Sequence, residues 1–228
     1  MNYTKVLEQY WKPVAGLFIA VVIVGGVTAL VSNRSKAKEE KVQESYYVIE
    51  KKLLELKQRA SAPADAAKKV EPVDYSEVKK DLEAFANENV GTIAAQMAAL
   101  HLAELQVTDK NSAAALTLLQ KVETKDKGLV NTLVEQQIAQ LLAGQDKCQE
   151  AIAVLQKIID RKEAAFVHND AKLQQALCHV KLGNTKQAEE ILTNLSSQSS
   201  QAEYGNSPAT KEAEKFLRLL QFKKTSGT

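Results

Sequence analysis

Two thiols, three imidazoles and a group of glutamines are the side chains of this chain that could do chemistry, and their spacing decides how much. Cys148 and Cys178 are the only cysteines. Each stands fifteen residues from position 163, which lies between two helical patterns, so two antiparallel helices hinged there would bring the thiols to one height. A disulfide then needs Cα atoms within about 7 Å and an oxidising compartment. Otherwise the pair are small buried residues that pack as alanine would. His101, His168 and His179 are scattered, with no HxxxH, HExxH or paired-cysteine spacing around them, and no metal is expected. Carboxylates such as Glu189 and Glu190 sit beside lysines on solvated helical faces. A glycine-rich phosphate loop, a nucleophile elbow and a catalytic Cys/His pairing are all missing, so the sequence advertises no enzyme, no cofactor and no small-molecule substrate.

Gln136, Gln137 and Gln140, followed by Gln174 and Gln175, fall on corresponding helices of successive repeats, with Gln137 and Gln174 in equivalent places. A primary amide offers both a donor and an acceptor, which suits a groove that holds the main chain of an extended partner. The plainer reading is a hydrated helix face, since polar residues must cover the outside of any helical array.

The elements that carry these residues are helical. Nine glycines and four prolines in 228 residues, against abundant Ala, Leu, Gln, Lys and Glu, point to an all-α chain. Charge is nearly balanced, 30 Lys plus Arg against 28 Asp plus Glu, which leaves no electrostatic footprint for nucleic acid. Amphipathic patterns predict helices over Tyr75 to Asn87, Thr92 to Leu105, Ala113 to Val122, Leu129 to Ala143, a second one after Gly144 to Ile159, Val167 to Leu182, a further one after Gly183 to Leu195, and Ala209 to Phe222. Ala114, Ala151 and Ala188 lie 37 residues apart, each followed four positions later by Leu118, Leu155 or Leu192. Short turns, TDKNS, GQDK and GNTK, precede them. A small residue at a close helix crossing, a large one a turn later and a tight turn before both is how helix-turn-helix repeats stack. The period is near the 34 of tetratricopeptide repeats, and LGNTKQAEEIL at 182–192 is closest to their consensus. Residues 75–224 thus read as a tetratricopeptide-like solenoid of about three units, with a leading helix and a C-terminal cap.

Ahead of it the chain changes character. Residues 14–31, VAGLFIAVVIVGGVTALV, carry no charge over eighteen positions, roughly the 27 Å a helix needs to cross a bilayer. A cleaved signal peptide is the alternative, though its apolar core would be shorter. Residues 1–13 form a short tail. Gly16 with Ala20, and Gly25 with Ala29, are small-xxx-small pairs on opposite faces of that span, where other membrane helices could approach closely. Lys and Arg are more frequent after the span than before it, which taken alone puts the C-terminal side in the cytoplasm. Residues 32–60 read as a charged stalk helix whose stripe Val42, Tyr46, Ile49, Leu53 and Leu56 either packs on its own domain or forms a coiled coil with a second copy. Residues 61–74, with Pro63 and Pro72, read as a linker.

The order of span, charged helix and repeats, with FANENVGTIAA at 85–95 as its most specific part, resembles the YfgM-like family, ancillary subunits of the SecYEG translocon with a tetratricopeptide-like domain. The resemblance covers nearly the whole chain. It implies an inner-membrane anchor with the repeat domain in the periplasm, association with SecYEG and a PpiD-like chaperone, and no catalysis. The Lys and Arg balance across the span, the Pro/Ala linker and the Ser/Gln-rich stretch at 196–208 depart from the family pattern. Two other functions stay open on the residues alone: an adaptor facing the cytoplasm, and a self-assembling structural protein driven by the Val42 to Leu56 seam.

Overall fold

The structure, a computed structural model, describes residues 39–61, 73–125, 128–197 and 207–226. It divides into two compact units, Met1–Val48 and Ile49–Thr228. The apolar run 14–31, with Gly16, Ala20, Gly25 and Ala29, lies outside the described residues, as does most of the 61–74 linker. Among the described residues no helix is long and apolar enough to cross a membrane, and every regular element is helical.

Helix α1 covers residues 39–61. After it come α2 (Ser76–Glu88), α3 (Ile93–Thr108), α4 (Ser112–Val122), α5 (Leu129–Gly144), α6 (Cys148–Ile159), α7 (His168–Lys181), α8 (Thr185–Ser197) and α9 (Pro208–Ser226), with a 3₁₀ turn at Lys162–Val167 before α7. Predicted and observed ends agree to within a few residues. The largest differences lie at α9, which runs on to Ser226, and before α7, where the chain first makes the 3₁₀ turn.

Three units, α3/α4, α5/α6 and α7/α8, are each closed by the same turn. In each, an amide donates back to a carbonyl five residues earlier: Asn111 to Gln106 at 2.8 Å, Lys147 to Leu142 at 2.9 Å and Asn184 to His179 at 2.9 Å. This bond ends the first helix in a Schellman motif, which requires one residue in the left-handed region. Lys110, Asp146 and Gly183 hold that position, with φ of 62°, 60° and 77°. Asn111 then starts α4 by accepting the Ala114 N–H on its side chain, as Thr92 starts α3 by accepting from Ala95.

These turns correct the repeat register. From Lys110 to Asp146 is 36 residues, and from Asp146 to Gly183 is 37. The first unit's counterpart of Ala151 and Ala188 is therefore Ala115, not Ala114. Ala115 is fully buried with Ala151 and Ala188, as Leu119 is with Leu155 and Leu192, whereas Ala114 is half-buried. A uniform spacing of 37 hides the shift because a second alanine stands beside the first.

Within the second compact unit the helices pack in two layers. Each helix meets the next in sequence, and the first helices of the units also meet one another, α3 with α5, α5 with α7, and α7 with α9. The inner layer is thus α3, α5, α7 and α9. Leu173 and Ala176 of α7, Leu192 and Leu195 of α8, and Ala209 and Ala213 of α9 form one core cluster, through which α9 caps the last unit. At the other end Leu53 of α1 is fully buried, so the apolar seam is used inside the chain at that point. Lys52 reaches Glu77 at 2.7 Å and Asp81 at 3.1 Å on α2, and the Tyr75 hydroxyl donates to the Leu56 carbonyl at 3.5 Å.

Candidate peptide-binding groove

A cavity of about 230 Å³ opens where α5 and α7, the first helices of two successive units, run side by side. Helix α5 contributes Gln140, Ala143 and Gly144, and α7 contributes Gln174, Leu177, Cys178 and Lys181. The small Ala143 and Gly144 leave room near the end of α5, and Leu177 supplies an apolar wall. Of the predicted glutamines, Gln140 and Gln174 are brought together here. Gln140 is exposed. The Oε1 of Gln174 is buried and, among the described residues, has no hydrogen-bond partner. Such an oxygen has lost its water without gaining a donor, at a cost of about 1–3 kcal/mol that an incoming N–H would relieve.

The other three glutamines are placed elsewhere. Gln175 is buried and donates to Gln156 of α6 at 2.9 Å, which turns it away from the cavity. Gln136 and Gln137 are half-buried on α5 and do not line the cavity. Gln137 and Gln174 remain nine residues before the left-handed turn in their units. His101 stands at the same place in the first unit, lowered in pKa by burial and by the Lys57 charge, and 3.8 Å from Glu50.

Lys181 was not foreseen. Its ammonium donates to the Ala143 carbonyl at 2.7 Å and lies 3.3 Å from Asp146, tying the end of α7 to the turn after α5. Its signal in the sequence was its place two residues before Gly183, which puts it level with the preceding turn once units stack.

The two cysteines are both buried and both free, at matching ends of the packed helices α6 and α7. Burial, with the neighbouring Cys148 thiol, pushes Cys178 up to about 12. Cys178 also lines the cavity, so the thiol pair sits directly behind the groove wall.

The two connections between units are held by different chemistry. Between α4 and α5, Asn131 Oδ1 accepts from Gln96 Nε2 at 2.8 Å and from the Thr124 amide at 2.9 Å, and the same Gln96 nitrogen reaches the Val122 carbonyl at 3.2 Å. Between α6 and α7, Leu155, Ile158, Ala164, Val167 and Ala171 close an apolar cluster with Ala139. At its edge Arg161 donates to the Glu135 carboxylate. Burial nonetheless raises the Glu135 pKa, outweighing the opposite pull of the guanidinium.

Pairs of helices with one repeated turn, stacked first helix against first helix, form the solenoid arrangement. The pattern of the tetratricopeptide repeat-like domain family matches residues 7–170 of the 228-residue chain. The chain belongs to that family. A tetratricopeptide repeat also matches residues 170–201, the segment that holds α7, α8 and the stretch closest to consensus. No curated protein and no solved structure matches the chain. As a tetratricopeptide-like protein it has the architecture of a protein–protein interaction scaffold.

Proposed function

We propose that this chain is a non-enzymatic, membrane-anchored scaffold whose repeat groove holds an extended segment of a partner protein by its main chain. The observation that carries the reading is the cavity between α5 and α7, where Gln140 and Gln174, the latter with a buried Oε1 that has no partner among the described residues, stand beside small and apolar residues. With its amide turned into the cavity, Gln174 would accept a peptide N–H on that oxygen, and Gln140 could donate to or accept from the next peptide unit. The anchor in this reading is the uncharged run 14–31.

The finer proposal places the anchor in a bacterial inner membrane and the repeats in the periplasm, at the SecYEG translocon with a PpiD-like chaperone. Its support is the similarity to the YfgM-like family over the span, the charged helix and FANENVGTIAA. A second reading, a cytoplasmic-facing adaptor, is favoured by the Lys and Arg balance across the span. Protease treatment of a C-terminal tag in spheroplasts separates the two: digestion without lysis places the repeats outside the cytoplasm, and protection until lysis selects the adaptor. For the groove itself, a photocrosslinker at Gln140 is expected to capture a partner, and one at Glu150, on the exposed side of α6, is not. Gln174→Leu should weaken capture by about tenfold, the worth of one hydrogen bond of about 1.4 kcal/mol. Equal capture from both positions would overturn the groove assignment.

A further inference from the structure

Cys148 is the first residue of α6 and Cys178 lies in the last turn of α7. The 3₁₀ turn at Lys162–Val167 joins the other ends of these helices, so the thiols meet at the open end of a helical hairpin. They are 2% and 1% exposed and stand at matching ends of two helices packed on each other. The same places in the other units hold no sulfur: Ser112 and Thr185 begin α4 and α8, and Leu105 and Leu141 occupy the counterparts of Cys178. A thiol pair thus occurs only where the second unit meets the third.

From this placement we propose that Cys148 and Cys178 are a disulfide-forming site that fastens the second repeat unit to the third directly behind the groove. The oxidant is a small aliphatic disulfide. A cysteine thiolate attacks one of its sulfurs and expels one thiolate, which leaves a mixed disulfide on the protein. The second cysteine, having lost its proton to solvent, attacks the protein sulfur of that mixed disulfide and expels the other thiolate. Two protein thiols are oxidised, one external disulfide is reduced to two thiols, and the two protons released end on those products. The route in is the cavity, because Cys178 lines it. Since the Cys178 thiol is held up to about 12, attack through it is slow near neutrality and quickens about tenfold per pH unit.

The resulting bond closes a loop of 29 intervening residues and ties helices of two different units. Repeat arrays are stabilised unit by unit and interface by interface. A covalent link at one interface therefore makes those two units unfold together.

The test uses the full-length chain in detergent, equilibrated with 2-hydroxyethyl disulfide, then unfolded and alkylated without reductant. We expect the number of reactive thiols to fall from two to none, with a Cys148 to Cys178 cross-linked peptide in the digest and Tm raised by roughly 5–10 °C, reversibly on reduction. Cys148→Ser and Cys178→Leu copy the residues of the first two units and so keep the fold. Each should end with one thiol, alkylatable or capped by the small thiol, and a Tm that ignores the oxidant. Two alkylatable thiols at equilibrium, stable mixed adducts at both cysteines, or bonds formed only between chains would overturn the proposal. None of these outcomes depends on which partner fills the groove.

Discussion

The turns inside the three units and the connections between them solve the same problem, reversing the chain at a helix end, in opposite ways. Inside the units the solution is repeated: the bond five residues back and a left-handed residue at Lys110, Asp146 and Gly183. Between units each connection is individual, one braced by the amides of Gln96 and Asn131, the other by an apolar cluster and an Arg161 to Glu135 pair. Local backbone chemistry suffices for the first kind. The second must satisfy whatever buried groups its two neighbouring units present, so individuality collects there, while the groove lies at the far end of α7, beside the repeated turn that follows α5.

The contrast can be broken most severely at the apolar connection. Leu155→Ala, at a fully buried position, should cost about 3 kcal/mol in urea unfolding, from lost burial and the cavity left behind. Asn131→Leu should cost about 2 kcal/mol, because the Thr124 amide and the Gln96 side chain lose their acceptor. Removing Gln96 as well, as Gln96→Leu/Asn131→Leu, should cost less than the two single changes summed, since the network acts as one. A fully additive double variant would show that the connection is not a network.

At the shared turns the expected effects are smaller. Gly183→Ala meets no atom within 4 Å, so only its positive φ resists, and about 1 kcal/mol of stability should be lost. Lys110→Gly, at the equivalent place, should gain about 0.5 kcal/mol by the same reasoning. If the two changes move Tm in the same direction, the turns are not equivalent. The smallest effect is pH dependence at Glu135. Its pKa is raised in the folded chain, so the native state holds its proton longer than the unfolded chain does. The stability that Glu135 contributes is therefore fully present below its ordinary value of 4.5 and is lost as pH rises through the higher folded value. Glu135→Gln should flatten that part of the stability curve, read by thermal unfolding between pH 4 and 7.

The difference between turns and connections also decides what the sequence discloses. Helix periodicity and turn residues such as Gly183 are local, so the repeats and their boundaries are legible to within a few positions. The register between the first two units is not, because AAA at 113–115 fits two alignments and only the left-handed Lys110 distinguishes them. Gln140 and Gln174 are legible as candidates, but equal spacing does not tell Gln175 from Gln174: one step of about 100° along α7 sends the first to Gln156 and the second to the cavity. Lys181 and the Asn131 network depend on contacts between units, which no single helix encodes. The placement of Cys148 and Cys178 at matching ends of α6 and α7 is legible because it needs only two helix lengths and the turn between them.

Helix α9 has a consequence for assembly. A stack of like units ends in a surface shaped to receive one more, and two such ends on separate molecules could join head to tail without ever closing. Phe216, Leu217 and Leu220 of α9 pack against the core cluster of the last unit, while Lys211, Glu212, Lys215 and Arg218 are exposed. Helix α9 therefore covers the core that a further unit would otherwise meet, and its outer face sets these charges beside the exposed Leu219 and Phe222.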